Sequence, residues 1–349
     1  MKILHVVRRY GDVGGMERYV WELSRAQAAQ GHQVVVVCEQ CLSLPPDIMV
    51  HQLGCVRPRP RWLALLRFSR RVAAWLQTYP QPGYLIHSHE RLDAHQITTF
   101  HGPPFATVRD KPWWRKISLR VAMQLYLERR ELTVAQAIVP NSAHIQQQLA
   151  HYYPALIGKL TVPVTPGVPA MPLRLPRRVP AQGGVIGFVG HEWKRKGLPL
   201  AIKIVAALRR TRPELELRVV GAPPEAVRPL FDSWPEGYRL LGWRSDQDYW
   251  REFDVLLHPA QAEPYGMVIA EALAAQVPVV VSAVCGAAME VTQAHGSVLR
   301  LDASLEDWCL AVERQLQRAD SPPPFQRDWY EVARDYEKIY QNLTVTNHE

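Results

Sequence analysis

Two runs of consecutive β-branched residues constrain the fold more than any other feature. VVVVC at 34–38 and VPVVVS at 277–282 lack the polar alternation of a strand with one wet face. A strand apolar on both sides has to be covered on both sides, and parallel sheets sandwiched by helices provide that cover. The surroundings agree. KILHVV (2–7) reads as a strand, and Met16, Tyr19, Val20, Leu23 and Ala26 recur at close to helical spacing over 15–30, ahead of Gly31 in the C-cap position. Further strands are expected near Tyr84–His89, Gln96–Phe100 and Ala137–Pro140, and a helix at Ser142–Tyr152 behind an Asn-Ser cap.

The rhythm stops between Pro163 and Gly184, where proline and glycine replace periodicity. It then restarts: VIGFVG (185–190), a helix from Leu198 to Arg210, LELRVVG (215–221) and VLLHP (255–259). A βαβ alternation occurring twice in 349 residues predicts an α/β protein of two doubly wound, Rossmann-like domains facing across a cleft. The expected division is a first domain at 1–165, a linker at 166–183, a second domain at 184–327 and a final helix at 328–349 that could cross back onto the first.

Composition narrows the functional classes. No apolar run reaches the roughly 20 residues that span a bilayer. The N-terminal MKILHVVRRYGDVGG is too short in its apolar part for a signal peptide, so a cytoplasmic protein is expected. Net charge is +8 with a pI near 9.3, which favours anionic partners. Five cysteines suit a reducing compartment. Cys38 and Cys41, with His51 and Cys55, could ligate zinc, but the prolines between them oppose a knuckle, and incidental thiols are the preferred reading.

The chemistry concentrates in HPAQAEPYGMVIAEALAAQVPVVVSAVCG (258–286). Glu263 follows a buried strand, Gly266 precedes a helix, and Glu271 lies about one turn inside it. A helix start offers unpaired N–H groups and partial positive charge to a phosphate. Glu263 can accept from sugar hydroxyls and Glu271 from a ribose diol. A second segment, GFVGHEWKRKGLPL (187–200), sets Arg195 and Lys196 at the C-terminal edge of a sheet, where two cations can neutralise a diphosphate.

Two glutamates seven residues apart in E-P-Y-G-M-V-I-A-E-A-L-A resemble the signature of glycosyltransferase family 4, retaining enzymes of the two-Rossmann GT-B architecture. LLHPA…AVCG and the K-R-K-G loop are similar to the bacterial lipopolysaccharide core glucosyltransferase I group. The resemblance implies that Glu263 meets the donor sugar and Glu271 the ribose, with Tyr265, Gly266, Met267 and Val268 completing the nucleotide-sugar site. It gives Arg195 and Lys196 the departing pyrophosphate. Gly14 and Gly15, in RRYGDVGGMERYV (8–20), would approach the donor phosphates, and His101, in TTFHGPP (98–104), would touch the donor sugar. His89, in IHSHE, is a weaker candidate of the same kind. The chain departs from the commonest family pattern at His191, Glu192 and Trp193, which stand where an arginine is usual soon after the strand glycine.

The implied activity is transfer of a hexose, glucose favoured, from a nucleotide-diphosphate sugar, UDP-linked by preference, to a saccharide such as lipopolysaccharide core or another cell-surface glycan. A nucleotide-sugar epimerase of the same architecture and a silent nucleotide-sugar-binding subunit are the alternatives. No cofactor and no metal are expected: Asp246-Gln-Asp248 mimics a metal-binding D-x-D but reads as a cap, with Ser245 leading a helix. Nucleic acid is not an expected partner, for want of a recognised module. RPRPRWLALLRFSRRVAAWL (57–76) and KPWWRKISLR (111–120) combine arginine with tryptophan. They suit an interfacial membrane helix, hence a peripheral location on an anionic surface, or else the solvated face of an ordinary helix.

Overall fold

The computed structural model describes residues 1–346. The chain divides into two compact units, Met1–Gly167 together with the chain from Arg327, and Val168–Gln326.

The first unit holds six parallel strands: β1 (Lys2–Tyr10), β2 (Gln33–Cys41), β3 (Met49–Gln52), β4 (Tyr84–Ser88), β5 (Ile97–Phe100) and β6 (Ala137–Pro140), in the spatial order β3-β2-β1-β4-β5-β6. Residues Val34–Cys38 are buried at every position, as their β-branched run demands. Helix Met16–Ala29 covers one face with Tyr19, Leu23 and Ala26. The final helix, Trp329–Thr346, packs beside it through Trp329, Val332, Ala333, Tyr336, Ile339 and Tyr340, spaced three, four and seven apart as one helical stripe requires.

The second unit repeats the plan with β7 (Gly183–Val189), β8 (Glu214–Val220), β9 (Tyr238–Gly242), β10 (Val255–His258), β11 (Val279–Ser282) and β12 (Gly296–Leu299), ordered β12-β11-β10-β7-β8-β9. In each sheet the first and fourth strands are neighbours and the winding reverses between them. Doubly wound folds bind ligands at that switch point, beyond the carboxyl ends of the strands.

Two expectations need correction. The 166–183 segment is not a free linker. Val168 and Met171 are buried in the second unit's core. Buried Arg174 pairs with buried Asp254 at 3.0 Å, and Arg177 reaches the same carboxylate at 2.8 Å. Its prolines abolish periodicity by removing backbone donors, but its side chains anchor an extended strap. Ser245 caps no α-helix: Asp248–Glu252 form a short 3₁₀ turn without a side-chain cap, and Asp246 is held by Arg244 at 2.9 Å.

Candidate active site

In the second unit the switch point lies between β7 and β10, which pair directly. The loop after β7 is pinned against the loop after β10. Gly197 has φ +85°, and a Cβ there would stand 2.0 Å from the Pro259 carbonyl oxygen, so only glycine permits this approach. The Gln261 N–H donates to the Arg195 carbonyl at 2.8 Å, and the Arg195 guanidinium donates to the Ala262 carbonyl. This stitching brings Arg195 within 3.4 Å and Lys196 within 3.5 Å of the Glu263 carboxylate. Glu263 is itself fixed from the other side: its carbonyl accepts from the Gly286 N–H at 3.1 Å, and that of Tyr265 from the Ala287 N–H at 2.7 Å.

Gly266, at φ +98°, turns the chain into helix Met267–Ala274, which has no side-chain cap. Its leading N–H groups are therefore oriented for an anion. Tyr265 and Val268 are buried, while Met267 and Glu271 are half-buried on the same turns. Arg195 also pairs with the exposed Glu192 carboxylate at 2.6 Å, so two cations and two carboxylates stand beside this helix start. Burial alone would raise the Glu263 carboxyl. Facing His258, Lys196 and Arg195 outweigh it and hold the group down at about 2. His258, the last residue of β10, is fully buried 3.7 Å from that carboxylate and has no hydrogen-bond partner among the described residues. It was missed as a site residue, although an H-P at the end of an aliphatic strand marks it.

The first unit carries a cavity of about 900 Å³ at the carboxyl ends of its strands, lined among others by Arg8, Glu39, His89, Glu90, Arg91 and His101. Arg8 pairs with Glu39 at 2.9 Å. Desolvation pushes the Glu90 carboxyl up to about 7 against the pull of Arg8, and the Glu131 carboxyl to about 8 against Arg91. Gly14 and Gly15 form an exposed turn ahead of helix Met16–Ala29, whose Met16 and Glu17 line the cavity. Beneath it lie His5, His87 and His89, with ligand atoms within 4.8 Å of one another. Among the described residues, Cys38, Cys41, His51 and Cys55 form no such group. His5 and His87 sit opposite each other on β1 and β4. His5 alone in an apolar strand and the His87-Ser-His89 spacing were the signals available for this cluster.

The basic stretches separate. In helix Arg61–Thr78, Trp75 is packed on His51, with ring centroids 5.0 Å apart, and Arg71 donates to the Leu53 and Gly54 carbonyls. Trp113, Trp114, Ile117 and Leu119, by contrast, are all more than 60 % exposed. Among the described residues no helix is long and apolar enough to cross a membrane.

Comparison with known proteins follows this division. A family described as Glycosyltransferase Family 4 matches residues 13–169, and one described as Glycosyl transferases group 1 matches residues 183–318. The chain is similar to the D-inositol 3-phosphate glycosyltransferase of Corynebacterium aurimucosum, with 28% identity over 59% of this chain and 56% of that protein. It is similar to the lipopolysaccharide glucosyltransferase WaaG of Escherichia coli K12, with 31% identity over 42% of this chain and 40% of that protein. It thus spans little more than half the length of the one and less than half of the other. Among solved structures, WaaG, a glycosyltransferase involved in lipopolysaccharide biosynthesis, superposes with TM-score 0.75 at 20% identity, covering 96% of this chain and 95% of that one. Anabaena Alr3699/HepE in complex with UDP-glucose superposes with TM-score 0.69 at 16% identity, covering 98% and 100%.

Proposed function

Because the chain belongs to the family 4 glycosyltransferases of GT-B architecture, we propose that it moves a hexose, glucose first, from a UDP-sugar to a saccharide acceptor with retention of configuration. The observation that carries this reading is Glu263 clamped between Arg195 and Lys196 beside the uncapped start of helix Met267–Ala274. The pair of cations takes the diphosphate, the helix start adds N–H donors, and Glu263 accepts from sugar hydroxyls. In the proposed front-face path the bond from the anomeric carbon to the diphosphate breaks as that carbon bonds the acceptor oxygen on the same face. The departing diphosphate oxygen takes the acceptor hydroxyl's proton, and Arg195 and Lys196 stabilise the charge left behind. No metal or cofactor is assigned a part.

WaaG supports a lipopolysaccharide-type acceptor, and the inositol-phosphate enzyme supports a small phosphorylated one. Incubation with labelled UDP-sugars, with and without each acceptor, tests the reading. Transfer only when an acceptor is present is expected. Interconversion of the donor sugar without acceptor would make the protein an epimerase, and binding without turnover a silent subunit.

Glu271→Ala should weaken UDP binding by about ten- to a hundredfold, since a charged acceptor to a ribose diol contributes roughly 1.5–3 kcal/mol. Calorimetry with UDP alone is the check. Unchanged affinity in a folded variant would take Glu271 out of the ribose site.

The exposed Trp113, Trp114, Ile117 and Leu119, beside Lys111, Arg115, Lys116 and Arg120, support docking of this segment on an anionic membrane surface. Each cation near such a surface contributes about 1 kcal/mol and is screened by salt. Sedimentation with phosphatidylglycerol-containing vesicles should exceed that with neutral ones, fall as salt rises, and drop when Trp113 and Trp114 are both replaced by serine. A wild-type protein that stays in the supernatant with both vesicle types would end the membrane reading.

A further inference from the structure

The histidines under the first unit's cavity form a chain of hydrogen bonds whose proton order can be worked out from its far end. The Val164 carbonyl can only accept, so the Tyr19 hydroxyl must donate to it, across 3.4 Å. Tyr19 then accepts from the Tyr336 hydroxyl at 2.9 Å, and Tyr336 from the Thr99 hydroxyl at 2.7 Å. Thr99 has spent its proton, so it accepts from His87 Nε2 at 2.7 Å. A neutral imidazole carries one proton, which leaves His87 Nδ1 to accept from the Tyr340 hydroxyl at 2.8 Å. Tyr340 in turn accepts from the Gln27 amide nitrogen at 3.0 Å. The amide of Gln27 is thereby oriented, and its oxygen faces His5 Nε2 at 2.7 Å.

From Gln27 the order continues toward the cavity. His5 Nε2 must donate, so His5 Nδ1 accepts from His89 Nε2 at 3.0 Å. His89 Nδ1 accepts from His101 Nε2 at 2.9 Å. His101 is left with its proton on Nε2 and a bare lone pair on Nδ1, for which the described residues supply no hydrogen-bond partner. The ring is held in place by the Tyr19 ring edge at 4.8 Å, and its backbone carbonyl by the Asn141 amide at 3.2 Å.

We infer that Gln27, His5 and His89 are positioning residues that fix the tautomer of His101, so that His101 presents a hydrogen-bond acceptor to the cavity and takes a hydroxyl of the bound sugar. A phosphate or carboxylate oxygen meeting the same nitrogen would face lone pair against lone pair. The site therefore selects a neutral hydroxyl there. Burial keeps the series uncharged, with His5 lowered to about 4 and His101 to about 3, so tautomer rather than charge is what the chain controls. The same crowding suggests a three-histidine metal centre, but each lone pair is already spent: His5 Nδ1 on His89, His87 Nδ1 on Tyr340, His89 Nδ1 on His101.

The sugar contact rests on the proposed transferase reading; the tautomer does not, and the experiment separates them. In the full chain with ¹⁵N-labelled histidine, the imidazole spectra of His5, His87, His89 and His101 should each show a protonated Nε2 and a bare Nδ1. A protonated Nδ1 on His101 overturns the proposal whatever the activity. His5→Leu removes the link to Gln27, and His101 should then populate both tautomers. His5→Gln keeps it, because an amide can donate to Gln27 and accept from His89. Transfer from UDP-glucose should fall about tenfold in kcat/KM for His5→Leu, and by less than about threefold for His5→Gln, with UDP affinity unchanged in both. A single Nε2-protonated His101 in folded His5→Leu, or equal losses in both variants, would reduce His5 to a packing residue. Should the wild type transfer no sugar, the transferase reading fails while the spectra still decide the tautomer.

Discussion

Lys196→Ala is expected to lower the turnover of sugar transfer by at least about a hundredfold, because a single donor aimed at charge that develops in the transition state is typically worth that much. The geometry favours an effect at this end of the range. The aliphatic stem of Lys196 lies across Gly190 at the end of β7, where a Cβ would come within 2.1 Å of its Cδ, so the strand end itself is shaped to seat the lysine. Its ammonium is 3.5 Å from the Glu263 carboxylate, and only 18 % of the side chain is exposed. Little water is left there to replace it. Initial rates with saturating UDP-glucose and acceptor provide the measurement. Turnover near the wild-type value would move the diphosphate site elsewhere.

Glu263→Ala is the companion variant, and its signature differs. Removing the carboxylate leaves Arg195 and Lys196 with no charge between them, so free UDP should bind as well as before or better, while turnover falls. Lys196→Ala should weaken UDP. Should the two variants shift UDP affinity in the same direction, the roles given to carboxylate and cation are wrongly divided.

The elements that carry this site were legible because each rests on local chemistry. Continuous β-branched runs report two-sided burial, and Gly266 followed by an apolar helix reports a turn into a helix start without a side-chain cap. Arg195, Lys196 and Glu263 were assigned to one site by the family resemblance; in the structure they meet because the first and fourth strands of this sheet are neighbours. What was hidden depends on contacts remote in sequence. Arg174 looked like one more charge in a proline-rich linker, and its partner Asp254 lies far along the chain. His5 looked like a polar interruption of an apolar strand. Its meaning comes from register with His87 on β4 and from Gln27 on the next helix, beneath Tyr340 of the last. Short edge strands β3 and β12 carry too few residues to show a period at all.

Acidification should destabilise the protein steeply between pH 6.5 and 4.5, before most carboxylates titrate. His5 and His95 are lowered to about 4, His101 to about 3, and His87 and His89 well below the usual histidine range, in every case by burial first. A histidine whose folded pKa is depressed contributes full stability above its unfolded value near 6.5. It loses that contribution as pH falls, because the unfolded chain takes the proton and the folded one does not. Glu90 and Glu131 act in the opposite sense: with folded values of about 7 and 8 they favour the folded state as pH drops through the same window. These five histidines against two carboxyls alone leave the unfolded chain with a surplus of roughly three protons near pH 5, or about 4 kcal/mol of stability lost per pH unit, and His32, His144, His258 and His295, also lowered by burial, act in the same sense. The net charge of +8 adds repulsion of the same sign, but salt screens that part and leaves buried imidazoles untouched. Urea midpoints between pH 7 and 5 at high salt isolate the histidine contribution, and His5→Gln, which deletes one of the five, should flatten the slope. Stability that holds level or rises across that range would mean these rings accept protons in the folded state, and the neutral, proton-ordered chain ending at His101 could not exist.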